Sequence, residues 1–187
     1  MEALQAIATD QLLKLDLGCG KTKKAGFLGV DRRPYEGVDV VADLLEPWPW
    51  GDGTVGEIHA SHVIEHFTGL QRVHIMNEMY RVLAKGGTAF IATPYWCSNR
   101  AYGDFTHQWP PVSEMWFYYL RREWRLANAP DTDISINPEG FSCDFECPTY
   151  SYGVHPQILS RHGEAQQWAL TFYKEAAQDL MATVTKL

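Results

Sequence analysis

The sequence predicts an α/β fold, in which helices pack on a sheet of mostly parallel strands. Short apolar runs of strand length follow one another through the first half of the chain, with little polar alternation. Such runs are typical of strands that are buried on both faces. An amphipathic helix after Thr68 leads directly into the last of these runs, and this is the unit from which doubly wound sheets are built.

Each of the first three predicted strands is followed by a glycine or by a polar residue. The five predicted strands are Leu12–Leu17, Phe27–Val30, Val38–Val41, Glu57–Val63 and Thr88–Thr93. The first is followed by Gly18, the second by Asp31, and the third by Ala42 and Asp43. Open parallel sheets bind their ligands at the carboxyl ends of their strands. We therefore expect a binding site built from these residues.

The predicted helix starts with a capping box at Thr68-Gly69-Leu70-Gln71. Beyond it, apolar residues recur at helical spacing at Val73, Met76, Tyr80 and Leu83, whereas Arg72, Asn77, Glu78 and Arg81 fall on the other side. Gly86-Gly87 is expected to end the helix, because glycine tolerates the left-handed backbone of a C-terminal cap.

The second half of the chain is rich in aromatic residues between Tyr95 and Trp124. After it we expect one or two strands in Phe141–Val154, a helix over Gly163–Leu180 and a last strand over Met181–Lys186. We expect a single domain over residues 1–187, with a cofactor-binding half (12–95) and a substrate-side half (95–187). The latter holds the aromatic-rich loop and the C-terminal helix.

Composition excludes several classes of protein. Hydrophobic residues make up 45% of the 187 residues, which is ordinary globular usage. No apolar run approaches the ~20 residues that span a bilayer, so no membrane span is expected. The net charge of −7 argues against a nucleic-acid partner, because proteins that bind nucleic acids usually carry a basic face. The four cysteines form no CxxC pair, which favours reduced thiols and a cytoplasmic location.

The strongest functional signal is Leu15-Asp16-Leu17-Gly18-Cys19-Gly20 at the end of the first strand. Glycine there lets a nucleotide-like cofactor approach the backbone without a Cβ clash. A carboxylate after the second strand can accept hydrogen bonds from two ribose hydroxyls, and one after the third can accept from an adenine amino group. Asp31 and Asp43 occupy these two places.

Together the segments LDLGCG, GVD, VVADL, HVIEH, MYRVLAKGG and TP resemble the class I S-adenosylmethionine (SAM)-dependent methyltransferases in order and approximate spacing. The similarity is closest to the small-molecule methyltransferases often called type 11, and it covers roughly residues 12–95. The resemblance implies a three-layer Rossmann-like methyltransferase fold. Its sheet has seven mostly parallel strands with an antiparallel edge strand, the last in the chain, and SAM lies across the strand ends.

The resemblance also implies roles for individual residues. Asp16, Gly18 and Gly20, with Cys19 between them, line the methionine part of SAM, which becomes S-adenosylhomocysteine (SAH) on transfer. Asp31, followed by Arg32, holds the ribose, and Asp43 with Leu44 holds the adenine. Ser61 and His62 touch the cofactor, and Glu65 and His66 follow in the turn that enters the helix.

The acceptor pocket of this fold lies after the fifth strand, where the chain has Gly103-Asp104-Phe105-Thr106-His107 among aromatic residues. We expect His107, Asp104 and His66 to be catalytic, as candidates for the group that takes the acceptor's proton. Tyr95, Trp96 and Thr106 are expected to bind substrate. The predicted reaction is methyl transfer to an oxygen or nitrogen, most simply of a small molecule. In-line transfer from a sulfonium needs no metal, and none is expected.

Two other interpretations stay open. A nicotinamide dinucleotide fold requires a third glycine and an acidic residue about 20 positions on, whereas Gly20 is followed by Lys21-Thr22-Lys23 and then by Asp31. Only seven residues separate Gly18 from Gly26, which is too few for the usual first crossover helix. A single turn or a bare loop is expected there. This contraction favours the alternative of a SAM-binding module without turnover, with a regulatory or scaffold role.

Overall fold

The structure, a computed structural model, describes residues 12–136 and 140–187. Its sheet has seven strands in the order β3-β2-β1-β4-β5-β7-β6. They are β1 (Leu13–Leu17), β2 (Leu28–Asp31), β3 (Val40–Val41), β4 (Val55–Ser61), β5 (Leu83–Pro94), β6 (Phe145–Val154) and β7 (Ala177–Lys186). The strands β1 to β5 are parallel, and β7 runs antiparallel to both β5 and β6. The predicted fold class is confirmed.

The antiparallel last strand differs from the prediction in its place and its length. It begins at Ala177, and it lies one position inside the edge because β6 pairs along its outer side from Phe145↔Lys186 to Val154↔Ala177. Leu180 and Val184 on β7 are fully buried, as a strand with two neighbours requires. The edge strand β6 is antiparallel only to this neighbour.

The helices in the described residues are short apart from two. They are α1 (Gly69–Val82), α2 (Arg100–Gly103), α3 (Glu114–Tyr118), α4 (Arg122–Asn128), α5 (Asp133–Ile136), α6 (Pro156–Leu159) and α7 (Gly163–Phe172). A 3-10 turn, Ile64–His66, follows β4. No helix in the described part of the chain is long and apolar enough to cross a membrane. A single domain over residues 1–187 stays a prediction.

The helix α1 starts where the sequence predicts, but it ends earlier than predicted. Gln71 N donates to Thr68 Oγ1 at 3.4 Å and Thr68 N donates to Gln71 Oε1 at 2.9 Å, which completes the capping box. The helix ends at Val82, because Leu83 already has extended backbone and pairs with Val55 in the sheet. Gly86-Gly87 therefore lies within β5 rather than at a helix end.

The predicted C-terminal helix is also shorter than expected. It ends at Phe172, and Tyr173 has extended backbone. Ala176 and Leu180, which were expected on the helix, lie in the turn before β7 and on β7 itself. Their apolar spacing fits either element, and pairing with β5 decides in favour of the strand.

The crossover between β1 and β2 is a loop of turns without a helix, as the spacing predicts. Two carboxylates, one of buried Asp16 and one of exposed Asp39, support the crossover and the start of β2 in place of a helix. Asp16 Oδ2 accepts from Lys24 N at 2.7 Å, and Asp39 Oδ2 accepts from Gly29 N at 2.7 Å. Lys23 Nζ bonds both oxygens of Asp39 and so ties the loop to the segment before β3.

Candidate functional site

The site begins at the glycine turn after β1. Gly18 has φ +60° and Gly20 has φ +55°, which is the left-handed region that favours glycine. A Cβ on Gly18 would lie 2.6 Å from Val63 Cγ2, so the turn packs directly against the residue after His62. The turn after β1 and the turn after β4 therefore contact each other, and both lie at the carboxyl edge of the sheet.

Asp16 lies within β1 and is buried beneath the glycine turn. Its Oδ1 lies 2.7 Å from His59 Nδ1, and its Oδ2 accepts from Lys24 N. Both oxygens thus hold the protein's own groups, and the carboxylate fixes the loop over residues 18–27. Burial, followed by the nearby Asp16 and Asp31 carboxylates, raises the pKa of the Cys19 thiol beside it.

Asp31 closes β2 beside the glycine turn. Its Oδ2 accepts from Gly20 N at 3.0 Å and its Oδ1 accepts from Arg33 N at 2.9 Å. A carboxylate can accept about four hydrogen bonds, so each oxygen keeps capacity for a ligand hydroxyl. Arg32 is exposed next to it.

The remaining predicted cofactor residues lie at neighbouring strand ends. Asp43 is exposed after β3, and its Oδ1 accepts from Leu45 N at 3.0 Å, which leaves Oδ2 for a ligand. Leu44 is buried in the core beside it. Ser61 ends β4 and is half-buried. The geometry is compatible with the predicted roles, which stay predictions.

The turn after β4 carries the next group of polar side chains. His62 is exposed and has φ +56°, an uncommon conformation for a residue with a side chain. Its Nδ1 lies 3.1 Å from Glu65 Oε1. Because a carboxylate only accepts, this nitrogen carries the proton. The hydrogen bond to Glu65 raises the pKa of His62 despite the opposing effect of burial.

A cavity of about 730 Å³ opens beside this turn. Its walls come from the turn after β4, the end of β5 and the loop after α2. They are His62, Glu65, His66, Pro94, Arg100, Gly103, Asp104, Phe105, Thr106 and His107. The structure therefore brings together all three predicted catalytic residues and Thr106, although His66 and His107 lie far apart in sequence. Their catalytic role stays a prediction.

The hydrogen bonds within this cavity define the state of His66. Thr106 Oγ1 donates to Asp104 Oδ1 at 2.7 Å, so its single proton is used. The contact of 3.0 Å between Thr106 Oγ1 and His66 Nδ1 must then be a hydrogen bond donated by the histidine. In the neutral form of the ring this tautomer leaves Nε2 with a free lone pair. Hydrogen bonds from the backbone and side chain of Thr106 lower the pKa of Asp104.

Arg72 joins the two segments that form the cavity. Its spacing predicts a place on the polar side of α1, but Arg72 is fully buried. The loop over residues 104–110 covers it. Its guanidinium donates to Ile64 O at 3.0 Å, Pro110 O at 2.5 Å and Gln108 O at 3.0 Å. Gln108 N donates to Glu65 O at 2.8 Å in addition. Burial lowers the pKa of Arg72 to about 10.

The two predicted aromatic substrate residues lie outside this cavity. Tyr95 is buried, and its hydroxyl donates to Glu114 Oε1 at 2.7 Å. Burial and this bond raise its pKa. Trp96 is 41% exposed and borders a second cavity of about 500 Å³ with Tyr102, Trp109 and Tyr118. Any role for Trp96 in binding would therefore be in that neighbouring cavity.

No signal in the sequence indicates that Arg72 is buried or that Glu65 and Arg100 line the cavity. Glu65 was visible only as part of the HVIEH segment, and its burial depends on a loop that is distant in sequence. Arg100 lines the cavity and bonds Asp179 on β7 at 3.0 Å, a contact that depends on the position of β7 in the sheet. Neither contact has a local sequence signal.

Comparisons with known proteins agree with this architecture. A family model described as a methyltransferase domain matches residues 26–91, about a third of the chain. A SAM-dependent methyltransferase from Archaeoglobus fulgidus has a TM-score of 0.63 at 16% identity, over 95% of this chain and 87% of that one. A geranyl diphosphate methyltransferase solved with SAM has a TM-score of 0.53 at 16% identity, over 94% and 78%. No curated protein matches the chain in sequence.

These findings define the chain as one with the class I methyltransferase fold, and the predicted resemblance is confirmed. The same fold also occurs in the cyclase SpnF, with a TM-score of 0.52 at 15% identity over 98% of this chain and 78% of that one. Because one fold can host different reactions, the reaction has to be argued from the site.

Proposed function

We propose that this protein transfers a methyl group from SAM to an oxygen or nitrogen atom of a small molecule. The observation that carries the proposal is the contact between the glycine turn after β1 and the turn after β4, which lines the cavity of about 730 Å³, the proposed acceptor cavity. Gly18 packs on Val63, and His62 and Glu65 of the same turn line that cavity. A cofactor on the glycine turn would thus lie beside a cavity with polar groups. The methyltransferase fold of the structural relatives supports SAM as that cofactor.

The strand ends offer what SAM requires. Gly18 and Gly20 admit the backbone approach, and Asp31 has capacity for two ribose hydroxyls while it holds the turn through Gly20 N. Asp43 Oδ2 is available for the adenine amino group. SAM carries no pyrophosphate, so a crossover without a helix N-terminus still suits it. The crossover without a helix is therefore the feature that suits SAM better than a dinucleotide, whose pyrophosphate binds at a helix N-terminus.

The cavity supplies groups for the chemical step. The acceptor atom loses its proton to a base, forms a bond to the methyl carbon, and the carbon–sulfur bond breaks with its electron pair left on sulfur. His66 Nε2, with Nδ1 held by Thr106, is poised as that base, and His107 beside it is a second candidate. Positioning of the two reactants supplies most of the barrier reduction, roughly 7–11 kcal/mol in favourable systems.

The acceptor is proposed to be a small molecule with an apolar part. A cavity of about 730 Å³ lies within the usual range for small-molecule sites. Exposed rings of Trp96, Tyr102 and Trp109 beside the second cavity can cover an apolar portion. The net charge of −7 disfavours a nucleic-acid acceptor. The cytoplasmic location expected from the cysteines belongs to the same proposal.

The bare crossover loop favours a second candidate, a module that binds SAM without turnover. Titration of the purified protein with SAM and SAH tests what both candidates share. We expect micromolar binding that Asp31→Ala abolishes and that Glu36→Ala, a charge removal in the same loop, leaves unchanged. Asp31→Asn keeps an oxygen for Gly20 N and separates loss of ribose contacts from loss of the turn. Absence of binding to either ligand would overturn the proposal.

SAH release in the presence of small alcohols, phenols and amines then separates the two candidates. Turnover that falls at least about tenfold in His66→Gln supports the enzyme, since general-base catalysis contributes ~10²–10⁴-fold. Tight SAM binding with no SAH release from any acceptor supports the module.

A further inference from the structure

We propose that Glu65, His66 and His107 form a site for a divalent transition-metal ion on the wall of the acceptor cavity. One ligand atom from each of these residues lies within 4.8 Å of those of the other two. Two imidazoles and one carboxylate are a donor set that binds Zn²⁺ and non-haem Fe²⁺ in proteins. This departs from the metal-free site expected from the sequence.

Two of the three residues have buried atoms that need a partner. Glu65 is 5% exposed, and its Oε2 makes no hydrogen bond within the described residues. The side chain of His107 is 10% exposed, and its Nδ1 likewise has no partner there. A buried polar atom without a partner destabilises the folded state. A metal ion would satisfy both atoms at once.

In two of the proposed ligands the other atom is already hydrogen-bonded within the protein. Glu65 Oε1 accepts from His62 Nδ1, and His66 Nδ1 donates to Thr106 Oγ1. His107 Nε2 lies 3.8 Å from Asp104 Oδ2, beyond hydrogen-bond distance, but the negative charge of that carboxylate favours a proton on this nitrogen. Protein metal sites show this arrangement, in which second partners fix the tautomer and direction of each ligand. The lone pairs of Glu65 Oε2, His66 Nε2 and His107 Nδ1 are left for the metal.

Metal binding requires the ligand atoms to move closer together. Donors about 2.0–2.2 Å from a tetrahedral ion lie about 3.3–3.6 Å apart, so atoms that lie within 4.8 Å of one another must approach by up to about 1.5 Å. His66 is exposed and its ring lies edge-on to that of His107, with centroids 4.9 Å apart, so it can move inward. Arg72 holds the backbones of the two segments together through Ile64 O, Gln108 O and Pro110 O. The site is thus built on a fixed frame with one adjustable ligand.

Metal binding does not depend on the proposed function, but its role in the reaction does. With a metal bound, the two imidazoles act as ligands rather than bases. A hydroxyl acceptor coordinated to the ion would lose its proton to solvent more readily, since a bound divalent ion lowers the pKa of an oxygen ligand. Its oxygen would then take the methyl carbon as the carbon–sulfur bond breaks. The ion would therefore favour a hydroxyl group as the acceptor.

Calorimetric titration of chelator-treated protein with Zn²⁺ tests the site, with the visible spectrum of bound Co²⁺ as a second readout. We expect one ion per chain. Affinity should fall at least about 100-fold in Glu65→Gln and His107→Gln, because loss of even an outer partner costs ~10–100-fold. His107→Gln keeps a polar group at the Nε2 position and removes Nδ1. His162→Asn removes an imidazole elsewhere while keeping an acceptor for the cap of α7.

Binding that is absent, or equal in wild type, Glu65→Gln and His107→Gln, would overturn the metal site. SAH titration of the same proteins shows that the variants are folded. It also separates the two proposals. SAH binding without zinc binding leaves the methyltransferase proposal standing, whereas zinc binding without SAH binding leaves only the metal site.

Discussion

Replacement of Arg72 by methionine tests how the acceptor cavity is held together. Methionine keeps the apolar stem and removes all three hydrogen bonds of the guanidinium, to Ile64 O, Gln108 O and Pro110 O. Hydrogen bonds of charged groups are worth ~1.5–3 kcal/mol each, or roughly 6 kcal/mol together. Against this stands the cost of burying the charge. A pKa lowered from 12.5 to about 10 corresponds to about 3 kcal/mol.

The net expectation is a loss of about 3 kcal/mol of unfolding free energy in Arg72→Met. For a chain of this size that is roughly 6–12 °C in Tm. Urea unfolding and thermal melting measure both quantities, and Arg161→Met, at an exposed arginine, is the matched control with an expected change within about 0.5 kcal/mol. The loop over residues 104–110 should also become more susceptible to proteolysis. A loss below about 1 kcal/mol with an unchanged loop would refute this account of Arg72.

Two further predictions concern other parts of the frame. Gly18→Ala places a Cβ 2.6 Å from Val63 Cγ2 at a φ of +60°, and we expect it to lower the free energy of unfolding in urea by ~2–4 kcal/mol. The double variant Gly18→Ala/Val63→Ala should recover the part of this loss that comes from the clash. An unchanged free energy of unfolding in Gly18→Ala would contradict the packing of Gly18 on Val63. Hydrogen bonds from Arg81 lower the pKa of Glu78 in the folded protein. The ionised Glu78 carboxylate therefore stabilises the fold above ~pH 4.3, and this stabilisation is lost as the pH falls through the lower pKa of the folded state. The stability gap between wild type and Glu78→Gln should therefore shrink in acid; a gap independent of pH would count against this interpretation.

Local signals in the sequence predicted the parts of the fold that depend on local chemistry. The capping box at Thr68 needs only Thr68 and Gln71, and both hydrogen bonds are present. The strand ends at Gly18 and Asp31 were visible because apolar runs stop there. From the common edge of parallel strands, the sequence also placed His66 and the segment with His107 on the acceptor side, and both line one cavity.

Features that depend on distant pairing could not be predicted in this way. Helical spacing places Arg72 on the polar side of α1, and only the loop over residues 104–110 makes that position buried. The end of α1 is decided by pairing of Leu83 with Val55 rather than by Gly86-Gly87. The inner position of β7 depends on its pairing with β6, and the sequence of β6 does not indicate which strand it pairs with. The proposed metal ligands come from two segments, residues 65–66 and residue 107, and the hydrogen bonds of Arg72 to both segments bring them together.

A crystal structure of the complex with SAH would show whether the glycine turn and the acceptor cavity form one active site. We expect the adenosine to lie across the strand ends with its ribose hydroxyls on Asp31. The homocysteine sulfur should lie over Gly18 and face the cavity lined by His66 and His107. SAH bound elsewhere, or with its sulfur directed away from that cavity, would contradict the claim that the glycine turn and the acceptor cavity form one active site.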